Sequence, residues 1–143
     1  MANKPWAFII IAAVVTACNS SGYYSGFEDL NPAGWAYGDT VTFVTDSCVS
    51  PSMMIALRHN DSYPYRNIWI EVSDSLHTDS VNIELCDVYG RWHGKGVGSS
   101  YQITARMPFA PAPNTPLNIR HILRVDTLRG IEQIGLVPTP IDL

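Results

Sequence analysis

Four histidines, three cysteines and a glycine-rich lysine loop are the residues of this 143-residue chain with the clearest capacity for chemistry. His59, His77, His93 and His121 do not fall at ligand spacing: none belongs to HExxH, to an HxH pair or to a cysteine cluster. No metal site is therefore expected. Glu28 and Asp29 are adjacent, so an extended chain points them apart, and no GxSxG elbow marks a serine nucleophile. The stretch Gly90-Arg91-Trp92-His93-Gly94-Lys95-Gly96-Val97-Gly98-Ser99 has the look of a phosphate loop. It fails the pattern, because Gly96 stands where Ser or Thr should follow Lys95 and a strand, not a helix, comes next. It reads as a long flexible hairpin connection in which glycine supplies positive φ, with Trp92, His93 and Lys95 placed to touch a partner. The expectation is a chain with no catalytic residues, no cofactor and no small-molecule substrate.

Cys18 is different. Lys4 precedes an apolar run from Trp6 to Val15, which ends in Val15-Thr16-Ala17-Cys18. A charged start, an apolar stretch about half the length needed to span a bilayer, and small residues before a cysteine resemble a bacterial lipoprotein signal. Residues 1–17 would be removed and Cys18 acylated, each buried methylene contributing about 0.8 kcal/mol to anchoring. An ordinary secretory signal cut near Ala17 is the competing reading. Residues 18–27 form a short polar tether that includes Asn19-Ser20-Ser21-Gly22. Asn19 replaces the aspartate that retains lipoproteins at the inner membrane in other bacteria, and no acidic stretch follows Cys18. The expected location is the cell envelope, at the outer membrane facing the periplasm.

Residues 28–143 have the size of one domain. The chain carries a formal charge of −4, with its nine Lys and Arg scattered. Without a basic stripe, nucleic acid is not an expected partner. In an oxidising compartment Cys48 and Cys86 are a candidate disulfide pair, closing a loop of about forty residues and contributing roughly 3–4 kcal/mol. Two separate thiols on neighbouring strands is the alternative.

Ten prolines and ten glycines point to turns and hence to β structure. Seven short segments carry the pattern: Val41 and Phe43; the unbroken apolar run Met53 to Leu57; Ile68, Ile70 and Val72; Val81, Ile83 and Leu85; Tyr101, Ile103 and Ala105; Leu117, Ile119, Leu123 and Val125; and Ile131 to Val137. Asp126 to Gly130 suits one helical turn. The fold class is all-β: a single-domain antiparallel β-sandwich or jelly roll, with one face of each sheet wet. His121 falls on an apolar face and is expected as a hydrogen-bonded core residue. Four Asp-Ser/Thr-apolar triplets, beginning at Asp39, Asp74, Asp79 and Asp126, resemble O-glycosylation sites, though turn chemistry explains them as well.

Exposed aromatics supply a candidate contact surface of Tyr63, Tyr65, Trp69, Trp92 and Lys95, with Trp69 set opposite the apolar face of its strand. Trp and Tyr on a jelly roll can also stack on sugar rings. A carbohydrate-binding module for polysaccharide capture is thus the alternative function, requiring Trp69, Trp92 and Tyr65 to form one planar platform.

Four ordered segments carry a resemblance to a known family: Pro32 to Trp35, Leu57 to Trp69, Gly90 to Gly98, and Leu128 to Leu136. Their most specific parts are the Arg58-x4-Tyr63-Pro64-Tyr65-x-Asn67-Ile68-Trp69 block and Gly94-Lys95-Gly96. Together they resemble the gliding-motility lipoprotein H (GldH) family. The resemblance implies a non-enzymatic lipoprotein of the gliding-motility and type IX secretion machinery. It would be held to the membrane by its lipid and work through contacts with other envelope proteins. No catalytic residues transfer from the family.

Overall fold

The structure is a computed structural model that describes residues 25–44 and 53–139. Cys18, the tether up to Tyr24, Cys48 and hence the proposed Cys48–Cys86 bond lie outside the described residues. Cys86 is itself buried.

Among the described residues there are ten strands and no helix. They are β1 (Gly26–Asp29), β2 (Trp35–Ala36), β3 (Val41–Val44), β4 (Met53–Asn60) and β5 (Asn67–Ser73), followed by β6 (Thr78–Glu84), β7 (Ser100–Arg106), β8 (Pro116–His121), β9 (Thr127–Leu128) and β10 (Ile131–Pro138). One four-stranded sheet has the order β1-β10-β4-β7 and the other β3-β8-β5-β6, with every pairing antiparallel. A small pair, β2-β9, completes the fold. Only β5 and β6 are joined as a hairpin within one sheet. The other connections among these eight strands cross between sheets, which is the jelly-roll arrangement.

The alternation read from the sequence produces this core directly. In β5, Ile68, Ile70 and Val72 are fully buried while Trp69 is 43% exposed on the opposite face. In β4 the unbroken apolar run buries both faces, since Ala56 is as fully enclosed as Ile55 and Leu57. Ile55, Leu57, Ile134 and Leu136 of one sheet join Ile68, Ile70, Leu117 and Ile119 of the other in a single cluster. Each such side chain contributes about 1.5–3 kcal/mol on burial.

Several expectations need revision. Three strands carried no readable pattern: β2 and β9 have two residues each, and β1, Gly26-Phe27-Glu28-Asp29, does not alternate apolar with polar. Asp126 to Gly130 contains β9 rather than a helical turn, because Thr127 and Leu128 pair with Ala36 and Trp35. β8 ends at His121, so Leu123 and Val125 lie beyond it. Glu28 and Asp29 do lie in extended chain, as adjacent residues of β1 paired with Ile134 and Gln133 of β10. The glycine-rich stretch is a crossover between sheets and not a hairpin, since β6 pairs with β5 and β7 with β4.

Candidate functional site

The outer face of the β1-β10-β4-β7 sheet carries a row of polar side chains in strict register. Asp29 pairs with Gln133, Gln133 with Arg58, Arg58 with Gln102, and Gln102 with Lys95. Paired residues share a face, so five chain segments deliver one line of side chains. Arg58 Nε donates to Gln102 Oε1 at 2.8 Å, and Arg58 Nη1 donates to Gln133 Oε1 at 2.5 Å. Gln133 Nε2 in turn donates to Asp29 Oδ1. Both glutamines therefore turn their oxygens toward a guanidinium that has no carboxylate partner among the described residues.

Phe27 lies beside this row. Its ring covers Gly135, where an added Cβ would stand 2.5 Å from Phe27 Cδ1. The Arg58 guanidinium carbon sits 4.1 Å from the ring centroid, a cation–π contact. A side chain at position 135 would displace the ring.

The register of β10 shifts between Ile131 and Gln133, making Glu132 the extra residue of a bulge. Its carboxylate accepts from Ser100 Oγ at 3.0 Å and from Asn60 Nδ2 at 3.4 Å. With Leu30, Pro32, Val97 and Arg129 at the rim, these rows line an open groove of about 1090 Å³.

The Lys95 rim is held by close backbone approach. Lys95 N donates to Gln102 O at 3.1 Å, and Gln102 N donates to Lys95 O at 2.9 Å. Only glycine allows it: a Cβ on Gly96 would lie 1.6 Å from the Ser100 carbonyl oxygen. Here glycine serves proximity rather than positive φ, although Gly90 and Gly98 do adopt positive φ.

Beneath the groove floor, His59 points into the core with no exposure. Its ring centroid is 4.7 Å from Trp92, 5.5 Å from Tyr101 and 6.2 Å from Tyr63. His59 Nδ1 donates to Asn60 O, while Nε2 has no partner among the described residues. Burial lowers the His59 pKa, against opposing pulls from the Asn60 carbonyl, Asp61 and Glu132. Trp92 Nε1 donates to Asp61 Oδ1 at 3.0 Å. Burial and the nearby Asp61 carboxylate raise the Tyr101 phenol. This ring cluster fastens the loop that bears Lys95 onto β4 and β7.

The five sequence candidates do not form one surface. Tyr63 is 3% exposed and donates to Asn67 O at 2.6 Å, so it belongs to the core, where packing on His59 and Tyr65 holds it. Tyr65 and Trp69 are each 43% exposed, with Trp69 on the outer face of the second sheet. Trp92 is half-buried against His59, and Lys95 alone reaches the groove. Trp69 makes no ring contact among the described residues, so the sugar-stacking platform of Trp69, Trp92 and Tyr65 is not assembled through packed rings. His121 is enclosed as expected, its Nε2 donating to Trp35 O at 3.0 Å. No group of three or more potential metal ligands occurs among the described residues. Asp74 acts as a turn residue, accepting from the backbone N–H groups of Leu76, His77 and Ala112.

Sequence reasoning missed Arg58, Gln102, Arg129, Glu132 and Gln133 as site residues. The signal was present in part. The segments Pro32 to Trp35, Leu57 to Trp69, Gly90 to Gly98 and Leu128 to Leu136 all send residues to this one groove.

Fold and site together define an all-β jelly roll with a charged groove on an outer sheet face. The model of one family, GldH lipoprotein, matches residues 22–137, and the chain belongs to that family. It is a gliding-motility-associated lipoprotein of the cell envelope. The matched span contains all the groove residues and nearly the whole of the ten strands. No curated protein matches the chain.

Proposed function

We propose that this lipoprotein is anchored through acylated Cys18 at the outer membrane, facing the periplasm, and acts by non-catalytic contacts with proteins of the gliding and type IX secretion machinery. The observation that carries this reading is the convergence of the four family segments on one groove. That groove's carboxylates are occupied by neutral donors: Asp29 by the Gln133 amide, Glu132 by the Ser100 hydroxyl and Asn60 amide. Such an arrangement suits recognition better than proton transfer, which needs an acid or base within reach of a reacting group. Anchoring raises the effective concentration of the groove near its neighbours, so a modest affinity suffices. The glycan-binding alternative is weakened because Trp69, on the outer face of the second sheet, and Trp92, packed on His59, share no ring contact among the described residues.

The test is crosslinking in cells followed by mass spectrometry of captured neighbours. Recovery of secretion or motility components supports the reading. Capture of no envelope protein overturns it.

A further inference from the structure

The groove gathers three cations, Arg58, Lys95 and Arg129, against two carboxylates, Asp29 and Glu132, on a chain that is acidic overall. Arg91 and Arg120 are paired with Asp87 and Glu71. Arg58, Lys95 and Arg129, all lining the groove, have no ion-pair partner among the described residues. Arg58 is also pre-set: Gln102, Gln133 and the Phe27 ring fix its plane, and both hydrogens on Nη2 remain unpartnered among the described residues. Held this way, Nη2 offers charge-assisted donors to an incoming carboxylate oxygen.

We propose that the groove is the docking site for an extended acidic peptide segment of a partner protein, its carboxylates pairing with Arg58, Lys95 and Arg129. This rests on the contact reading above and names the chemistry of the partner. Across the sheet, the row from Asp29 to Lys95 spans four inter-strand steps, ~19 Å at the usual spacing, which about six extended residues would cover. Leu30, Pro32 and Val97 at the rim offer aliphatic contact to the peptide's other face. Asp29 sets the direction, since it repels an acidic side chain at the β1 end of the row and leaves it at the Lys95 end. An acidic saccharide is disfavoured, because the aromatic that lines the groove, Tyr101, already stacks on His59. Phe27, beside the groove, is half-buried with Arg58 over its ring and Gly135 against it. The open faces of Tyr65, Trp69 and Tyr89 lie outside the groove.

The experiment is fluorescence anisotropy with full-length lipidated protein in neutral detergent. The probe is a labelled acetylated Asp-Gly-Asp-Gly-Asp-Gly amide, compared with its Asn-Gly equivalent and with trigalacturonate. The aspartyl peptide binds, added salt weakens it, and Lys95→Gln lowers affinity by about tenfold. Arg58→Gln does the same; because Arg58 also holds two glutamines, the exposed Lys95 is the variant that decides. Equal binding of the two peptides, preference for trigalacturonate, absence of binding, or an unchanged affinity in Lys95→Gln overturns the proposal. Cellular capture of partners that persists in Lys95→Gln/Arg129→Gln overturns the groove assignment alone and leaves the contact reading standing. Absence of capture by the wild type removes both.

Discussion

The ring of Phe27 occupies the space above Gly135, filling the gap its missing side chain leaves on the sheet. Arg58 then lies over Phe27, so an edge strand, a central glycine and a groove cation form one stack. Gly135→Ala forces the ring aside and is expected to cost about 1–3 kcal/mol, as overpacking does. Denaturant unfolding measures it, and an unchanged midpoint would show that the stack does not hold β1 to β10.

Gly96→Ala tests the loop clamp. A methyl group there collides with the Ser100 carbonyl, so the loop must lift and the paired bonds between Lys95 and Gln102 break. Amide exchange at Gln102 should quicken by an order of magnitude or more, with the core amides of β4 unaffected. Continued protection at Gln102 would refute the clamp.

Two enclosed histidines make stability pH-dependent. Burial holds His59 and His121 below the ordinary imidazole value of 6.5, and both are fully enclosed. The unfolded chain therefore takes up protons that the folded chain refuses. Their contribution is fully present above pH 6.5 and is lost as pH falls toward the folded values. Unfolding midpoints should drop on acidification through this range, and His59→Gln should flatten the slope. Asp74 and Asp87 act in a separate, more acidic window. Burial pushes Asp74 up, but bonds from the Leu76, Ala112 and His77 amides outweigh it and leave the carboxyl low. The Arg91 amide is the largest pull on Asp87, also lowered. Their stabilisation disappears only below about pH 4.

Neighbouring tyrosines should respond very differently to truncation. Tyr63→Ala removes an enclosed ring and its bond to Asn67, and is expected to cost about 3–5 kcal/mol. Tyr65→Ala, at a side chain 43% exposed, should cost well under half of that. Thermal melts of the two variants decide it; equal losses would contradict the placement of Tyr63.

Cys18→Ser should release the protein from envelope membranes and abolish fatty-acid labelling. A wild-type protein that takes up no labelled fatty acid would refute acylation at this residue.

How much of this was legible in the sequence follows from element length. β4, β5, β8 and β10 run for six to eight residues, long enough for period-two alternation to separate Ile70 from Trp69. β2 and β9 have two residues each, and no alternation exists in two residues. His121 was readable as enclosed because it continues the apolar face of Leu117 and Ile119. Tyr63 was not, since its surroundings in the chain, Ser62 and Pro64, are turn residues and its burial is decided by His59. The groove was hidden for a further reason. Arg58, Gln102, Gln133 and Asp29 each look like an ordinary outward polar residue, and only the strand order β1-β10-β4-β7 brings them into line. Lys95 stood out because two glycines flank it, a local signal that needs no topology.

The placement of β1 gives the anchor a mechanical meaning. Gly26 and Asp29 lie at opposite ends of this strand, and Asp29 is the end that meets Arg58 through Gln133. If lipid holds the chain ahead of Gly26 while a partner grips the cations, tension runs lengthwise along β1. The four register pairs with β10 then resist it together, in shear, instead of peeling one after another.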